Sequence, residues 1–185
     1  ADRKIVFNSS GARAIETAVR AAAEYRRGRL LSISPSFHGN TIALASHSTC
    51  EAVDSPSSYR RGAAEYPHCS RCPLGLTFPS CSLRYADRLY EFIDQNASSI
   101  SAILIEPMLG ARGYILPPDD YFLRLSRLAK KHGILTIADE VQTALGRSGN
   151  WTLSHTQGWQ ADLLVIGKSL GGGVAAISAV LGRTE

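Results

Sequence analysis

The chain has 185 residues, of which 44% are hydrophobic and 19% are charged, so it can bury one sizeable core and is not expected to be disordered. The net charge is +4. One dense basic group, formed by Arg26, Arg27 and Arg29, lies at the end of a predicted helix, where it complements the helix dipole. We therefore do not expect a nucleic-acid partner. Because no apolar run approaches the ~20 residues of a membrane span and the amino terminus lacks the apolar core of a signal peptide, we expect a soluble, cytoplasmic protein with no membrane partner. An organelle stays open as its location if the amino terminus is incomplete.

A strand, a turn and a helix are predicted at the amino terminus. Residues 5–7 form a short apolar run, residues 8–11 form a turn whose serines can cap a helix, and apolar residues recur at helical spacing over 14–25. The next apolar run, 30–33, predicts a second strand, and a loop comes after it at 35–39. The amino terminus therefore predicts a strand that leads through small residues into a helix.

Regular periodicity is lost from about residue 49 to residue 82. A segment of this length without secondary structure is usually functional or packed on a partner. It contains Cys69 and Cys72 at the spacing of a metal or redox pair, with His68 beside them, but no second CxxC motif occurs. Free thiols and no metal are the favoured interpretation, and a zinc or iron–sulfur site on Cys69 and Cys72 is the minority alternative.

The second half alternates helices with apolar strands. Helices are predicted over 85–93 and 119–132, and strands over 102–105, 134–138, 163–166 and 176–181. Continuous apolar strands separated by helices predict an α/β fold of three layers, with a mostly parallel central sheet and helices on both faces. Since a strand lies close to each end of the chain, we expect one domain, residues 1–185, cut from a longer protein.

Two of these strands end in charged residues, Lys168 and Asp139. An open α/β sheet presents its binding crevice at the carboxyl ends of its strands. A lysine there can form an imine with a carbonyl, and a poorly solvated carboxylate can pair with a protonated pyridine nitrogen. The ordinary alternatives are a solvated loop lysine and an aspartate in a helix cap or in a salt bridge, for example with Arg147.

Two further segments carry weaker signals. Ser10, Gly11 and Ala12 place small residues and free N–H groups at a helix N-terminus, which favours an anion, although many capped helices begin this way. Phe37, next to His38, lies on a loop after a strand, where an aromatic ring can stack on a flat ligand or can simply belong to the core.

Together, and in this order, these features resemble the class III, pyridoxal-phosphate-dependent aminotransferases of fold type I. The resemblance runs nearly end to end, and it is carried by residues 8–16, 37–41, 105–107, 132–135, 137–143, 145–149 and 167–173. It implies the large, cofactor-binding domain of that fold over residues 1–185, without an N-terminal segment and a C-terminal small domain. It also implies a homodimer in which two subunits build each active site.

The resemblance implies a role for each candidate residue. Lys168 would hold pyridoxal 5'-phosphate as an internal aldimine and move a proton at the substrate, and Asp139 would pair with the pyridinium nitrogen. Val141 and Phe37 would sandwich the ring, and Gln142 would bond to its phenolic oxygen. The other implied cofactor-binding residues are Ser10, Gly11 and Ala12 at the phosphate, and His38. Glu106 is a family position near the site to which no role is assigned.

The implied reaction moves an amino group from an amine or amino acid to a keto acid. Many ω-amino acid transaminases have a glutamate where Ala111 stands, so decarboxylating transamination, as in dialkylglycine decarboxylase, or racemisation stays an alternative. A non-catalytic scaffold is the alternative from another class. Arg112 offers a carboxylate partner or is an exposed charge, and Arg13 adds charge at the phosphate or faces solvent. A cysteine pair of the animal 4-aminobutyrate aminotransferases is linked to an iron–sulfur cluster, and Cys69 and Cys72 match it in spacing only.

Overall fold

The computed structural model describes residues 3–45 and 64–183 of the chain. Its helices are α1 (Gly11–Tyr25), α2 (Ile42–Ala45), α3 (Arg84–Asn96), α4 (Tyr121–Lys131) and α5 (Leu153–Thr156). Its strands are β1 (Arg3–Asn8), β2 (Arg29–Ser32), β3 (Ile100–Ile105), β4 (Leu135–Asp139), β5 (Leu163–Ile166) and β6 (Ser178–Arg183). Short 3-10 turns lie at Cys69–Arg71, Ala97–Ser99 and Lys168–Gly171.

The six strands form one sheet in the order β1-β6-β5-β4-β3-β2. The pairs from β2 to β5 are parallel, whereas β6 is antiparallel to both of its neighbours, β5 and β1. Five strands therefore run in one direction, which confirms the mostly parallel sheet. The reversed β6 is a detail that its apolar run could not predict, because burial on both faces carries no information on strand direction.

Helices cover both faces of the sheet. On one face, α1 buries Ala14, Ile15 and Ala18 against residues of the central strands such as Val165. On the other face, α3 and α4 pack through a second apolar cluster that includes Ile93 and Leu125. Each fully buried Ile or Leu stabilises the fold by ~1.5–3 kcal/mol relative to an exposed side chain. The predicted three-layer α/β/α arrangement is confirmed.

The predicted irregular segment is described only from residue 64 onward, and 46–63 lies outside the described residues. From Ala64 to Leu83 the chain contains one 3-10 turn and an isolated bridge between Ser34 and Glu65. The lack of periodicity thus corresponds here to a lack of regular secondary structure.

The basic group after α1 includes a structural residue. Arg26 donates to the carbonyl oxygens of His132 at 2.5 Å and Ala97 at 2.7 Å, which lie just beyond the ends of α4 and α3. Its guanidinium therefore joins the ends of three helices. The sequence predicted only an interaction with the dipole of its own helix. In the part of the chain that the structure describes, no helix has the length and apolarity needed to cross a membrane.

Candidate active site

A cleft opens where the carboxyl ends of β4 and β5 meet the N-terminus of α1. Eight of the nine predicted site residues line this cleft, all except Ser10. Four further lining residues, which the sequence did not predict as cofactor-binding, are Gly39, Glu106, Met108 and Thr143. The fold therefore brings together segments that are up to about 157 residues apart in the chain, from Gly11 to Lys168.

The N-terminus of α1 forms one end of the cleft. Ser10 is the N-cap: its hydroxyl accepts from the N–H of Arg13 at 3.3 Å, so its side chain is engaged in capping. Among residues 3–45 and 64–183, no acceptor pairs with the N–H groups of Gly11 and Ala12. Unpaired N–H groups at the start of a 15-residue helix favour an anion such as phosphate.

Glycine is required at two points of this end. A Cβ atom at Gly11 would lie 2.8 Å from a methyl group of Val141. At Gly39, where φ is 120°, a Cβ atom would lie 2.6 Å from that of Ala12. These close approaches let the helix terminus, Val141 and the 37–39 loop share one narrow cleft.

Asp139 ends β4 and is buried, with 6% of its surface exposed. One carboxylate oxygen accepts from the N–H of Val141 at 3.1 Å, and the other lies 2.7 Å from Nδ1 of the buried His38. A carboxylate has about four acceptor positions, so Asp139 can still accept a hydrogen bond from a ligand in the cleft. The aspartate is thus fixed by His38 and not by a salt bridge to Arg147.

Lys168 comes after β5 and Gly167 and lines the same cleft, with its side chain exposed. Its backbone has a φ of 36°, in the left-handed region that costs a non-glycine residue ~1–3 kcal/mol. Strain of this kind persists where the surrounding structure fixes it, and it is concentrated at functional sites. The strained turn presents the amine to the cleft that Asp139 borders.

Glu106 comes directly after β3 and has a role that sequence reasoning did not find. Its two carboxylate oxygens accept from the N–H groups of Phe37 at 2.8 Å and Gly110 at 3.1 Å. Burial raises the pKa of this carboxyl above its usual value of 4.5, Asp139 raises it further, and His38 and the two N–H donors lower it. One side chain therefore fixes both the aromatic loop and the turn at Gly110.

Glu106 should make the stability of the protein depend on pH in a specific direction. Because the folded-state pKa is raised, the folded protein holds this proton to higher pH than the unfolded chain does. Its contribution to the free energy of unfolding therefore falls as pH rises from about 4.5 through the raised pKa. We expect Glu106→Gln to remove this pH-dependent loss of stability. As pH rises through this range, the free energy of unfolding of the variant should therefore increase relative to that of wild type. Urea unfolding at several pH values measures this, and a difference independent of pH would contradict it.

Two charged residues near the site face elsewhere. Arg13 pairs with Glu16 at 2.9 Å and is mostly exposed, so of its two expected roles it takes the solvent-facing one. Glu140, next to Asp139, is fully buried and accepts from the N–H groups of Leu153 and Ser154. Its carboxylate joins the end of β4 to α5 and is structural.

The cysteines form a separate feature. Cys69, Cys72 and Cys81 are free thiols that line one small pocket with His68, and Cys50 lies outside the described residues. Burial raises the pKa of Cys69, and the neighbouring Cys81 and Cys72 raise it further. Within residues 3–45 and 64–183, no three His, Cys, Asp or Glu side chains are placed to hold a metal ion.

Comparison with known proteins agrees with this geometry. The sequence model of the family described as aminotransferase class-III matches residues 1–185. The chain belongs to the class III aminotransferase family. The α/β fold described above is therefore that of the class III aminotransferases.

Individual relatives that match this chain are longer proteins. The chain is 36% identical to a leucine/methionine racemase of Thermococcus litoralis and 35% identical to an ornithine aminotransferase of Staphylococcus carnosus. Each match covers 98% of this chain and 42% or 44% of the relative. The chain also resembles the crystal structure of an amine transaminase from an uncultivated Pseudomonas species in its PLP-bound form, with a TM-score of 0.87 and 30% identity. This match covers 98% of this chain and 44% of the transaminase chain. The chain thus spans less than half the length of these relatives.

Proposed function

We propose that residues 1–185 form the large, cofactor-binding domain of a pyridoxal-phosphate-dependent aminotransferase, which moves an amino group from an amine or amino acid to a keto acid. The observation that carries this proposal is the presence in one cleft of Lys168, Asp139 and the N–H groups of Gly11 and Ala12. These three elements correspond to the three reactive parts of the cofactor, namely its aldehyde, its ring nitrogen and its phosphate.

The donor and acceptor set fits this cofactor. The unpaired N–H groups at α1 suit a phosphate, and the absence of a side chain at Gly11 lets Val141 approach the helix terminus closely. Asp139 keeps acceptor capacity in the same cleft, where a protonated ring nitrogen would neutralise its buried charge. When bound, pyridoxal phosphate supplies an electron sink that stabilises negative charge at the substrate α-carbon.

Each of the site residues would have a separate role in binding the cofactor or in moving protons. Asp139, oriented by His38, would hold the ring nitrogen protonated. Phe37, fixed through its N–H by Glu106, and Val141 would bracket the ring and exclude water from its faces. Gln142 would donate an amide N–H, and Lys168 would hold the cofactor covalently and then carry a proton to and from the substrate α-carbon.

We further propose a cytoplasmic homodimer in which two subunits build each site around a small amino donor and a keto-acid acceptor. Large apolar side chains support a covering partner subunit: Trp151 is 80% exposed and Val174, six residues after Lys168, is 95% exposed. A partner subunit would cover such exposed apolar side chains. The length of the relatives supports further segments beyond this domain.

The proposed activity is tested on the full-length protein supplied with pyridoxal phosphate. We expect a new absorption band from the bound cofactor and transfer of the amino group from a panel of amines and amino acids to pyruvate or 2-oxoglutarate. The keto product and the new amino acid are measured by chromatography. A protein that binds the cofactor without any amino transfer would contradict aminotransferase activity, and absence of the band would contradict the cofactor site.

Racemisation is a second candidate, favoured by the 36% identity to a protein named leucine/methionine racemase and by Ala111 in place of the glutamate of many ω-transaminases. Both reactions begin with removal of the α-proton, and they differ in the carbon atom to which a proton is then returned. In D2O without a keto acid, a racemase should convert an L-amino acid into a deuterated mixture of both enantiomers. An aminotransferase should instead stop after one equivalent of keto acid per site, and release of carbon dioxide would indicate decarboxylating transamination.

A further inference from the structure

Gly110 lies in a hairpin after β3, and its backbone is held on both sides. Its N–H donates to the carboxylate of Glu106 at 3.1 Å, and its carbonyl accepts from the N–H of Gly113 at 3.4 Å. Next to it, Leu109 and Ile115 exchange two backbone hydrogen bonds, of 2.9 and 3.3 Å. Because Gly110 is also buried, its backbone has little room to move.

The side chain of Gln142 lies directly against this glycine. A Cβ atom added at Gly110 would be 2.0 Å from Oε1 of Gln142, 2.6 Å from its Cδ and 3.2 Å from its Nε2. The amide oxygen is thus the nearest atom, and the amide nitrogen, which is the donor, lies farther from the glycine. Gln142 also lines the cleft. The missing side chain of Gly110 therefore leaves the space that the carboxamide occupies.

This contact limits where the carboxamide of Gln142 lies. Within residues 3–45 and 64–183, no hydrogen-bond partner holds the Gln142 side chain. Since Cβ atoms essentially never come within 3.0 Å of another such atom, a methyl group at position 110 would displace Oε1 by about 1 Å or more. The backbone of Gly110 is held and the end of a glutamine side chain is flexible, so the amide would move and the hairpin would stay.

We infer that Gly110 is a positioning residue, whose missing side chain lets the Gln142 amide reach the phenolic oxygen of the cofactor. This inference rests on the proposed function and adds a residue that acts through another. Gly110 itself would touch neither cofactor nor substrate.

The effect of Gly110 should appear in the pH dependence of the cofactor spectrum. A hydrogen bond donated to the phenolic oxygen favours the negatively charged form of that oxygen. Displacement of the donor should therefore raise the pH at which the bound cofactor changes its absorption. A misplacement of about 1 Å in such a site can also lower the rate by about 100-fold.

The test compares Gly110→Ala, Gln142→Ala and the double variant in the full-length, cofactor-loaded protein. We expect each single variant to raise the pH midpoint of the spectral change by about one unit, which is about a tenfold change in the equilibrium. The double variant should match Gln142→Ala alone, because the amide that the added methyl group displaces is no longer present. Gln142→Ala thus serves as the matched background.

Two measurements without cofactor separate positioning from a structural role. A crystal structure of cofactor-free Gly110→Ala should show the Gln142 carboxamide moved by about 1 Å or more, with the bond from position 110 to Glu106 kept. Urea unfolding should give a midpoint close to that of wild type. The reason is that the φ of Gly110 is not in the left-handed region, so alanine can adopt the same backbone.

Several results would overturn the inference while the cofactor band remains. They are an unmoved carboxamide, a spectral midpoint that Gly110→Ala does not shift, and an equal further shift when Gly110→Ala is added to Gln142→Ala. A large loss of stability on adding Gly110→Ala, equal in both backgrounds, would make the glycine structural and would also overturn it. Absence of the band in wild type would instead overturn the proposed function itself, so the two failures are distinguishable.

Discussion

Lys168→Ala is expected to abolish amino transfer and the absorption band of covalently held cofactor in the full-length protein. Proton transfer by a positioned side chain contributes ~10²–10⁴-fold to rate, and the lost covalent attachment adds to this. The fold should persist, because Lys168 is exposed and its left-handed φ of 36° belongs to the turn and not to the core. Absorbance with added pyridoxal phosphate and single-turnover kinetics measure the two effects.

A matched variant separates this effect from the general loss of a surface charge. Lys130 is an exposed lysine of α4, so Lys130→Ala removes the same charge at a distance from the cleft. It should behave as wild type in both measurements. Substantial activity in Lys168→Ala would contradict the assignment of this lysine.

Asp139→Asn is expected to keep the fold and lose catalysis. Asparagine preserves the shape and one acceptor for the Val141 N–H, but it removes the negative charge that would hold the ring nitrogen protonated. Loss of one preorganised electrostatic partner in such a site lowers kcat by ~10²–10³-fold. The rate of the first half-reaction, monitored by cofactor absorbance, measures this directly.

Glu140→Gln is the control, because it alters the neighbouring buried carboxylate. Glu140 accepts from Leu153 and Ser154, and weakening these bonds should destabilise the fold by about 1–3 kcal/mol. The cofactor spectrum of this variant should stay that of wild type. If both variants lost stability and activity in parallel, Asp139 would have a structural role and the assigned pairing would be wrong.

The sequence predicted the strands and helices well where apolar patterning was continuous. Residues 163–166 were predicted within the bounds of β5, and 14–25 lies within α1. Lys168 and Asp139 could be predicted as neighbours because β4 and β5 are parallel, so their carboxyl ends meet at one edge of the sheet. The direction of β6 could not be predicted, because a short apolar run has the same pattern in a parallel and in an antiparallel strand.

The contacts that hold the site together were beyond sequence reasoning. His38 pairs with Asp139 across 101 positions, and Glu106 accepts from Phe37 across 69. Glu106 accepts hydrogen bonds from backbone N–H groups. Because every residue except proline has such a group, the sequence does not indicate which residues are its partners. The signals that existed were the place of Glu106 directly after a buried strand and of His38 beside Phe37.

Trapping the covalent bond shows whether Lys168 holds pyridoxal phosphate beside Asp139. The full-length protein is loaded with the cofactor, reduced with borohydride, digested and analysed by mass spectrometry. We predict that the reduced cofactor is found on the peptide that contains Lys168, at close to one equivalent per chain, and that it is absent in Lys168→Ala. Stoichiometric modification of a different lysine, or of none, would contradict the assignment of Lys168.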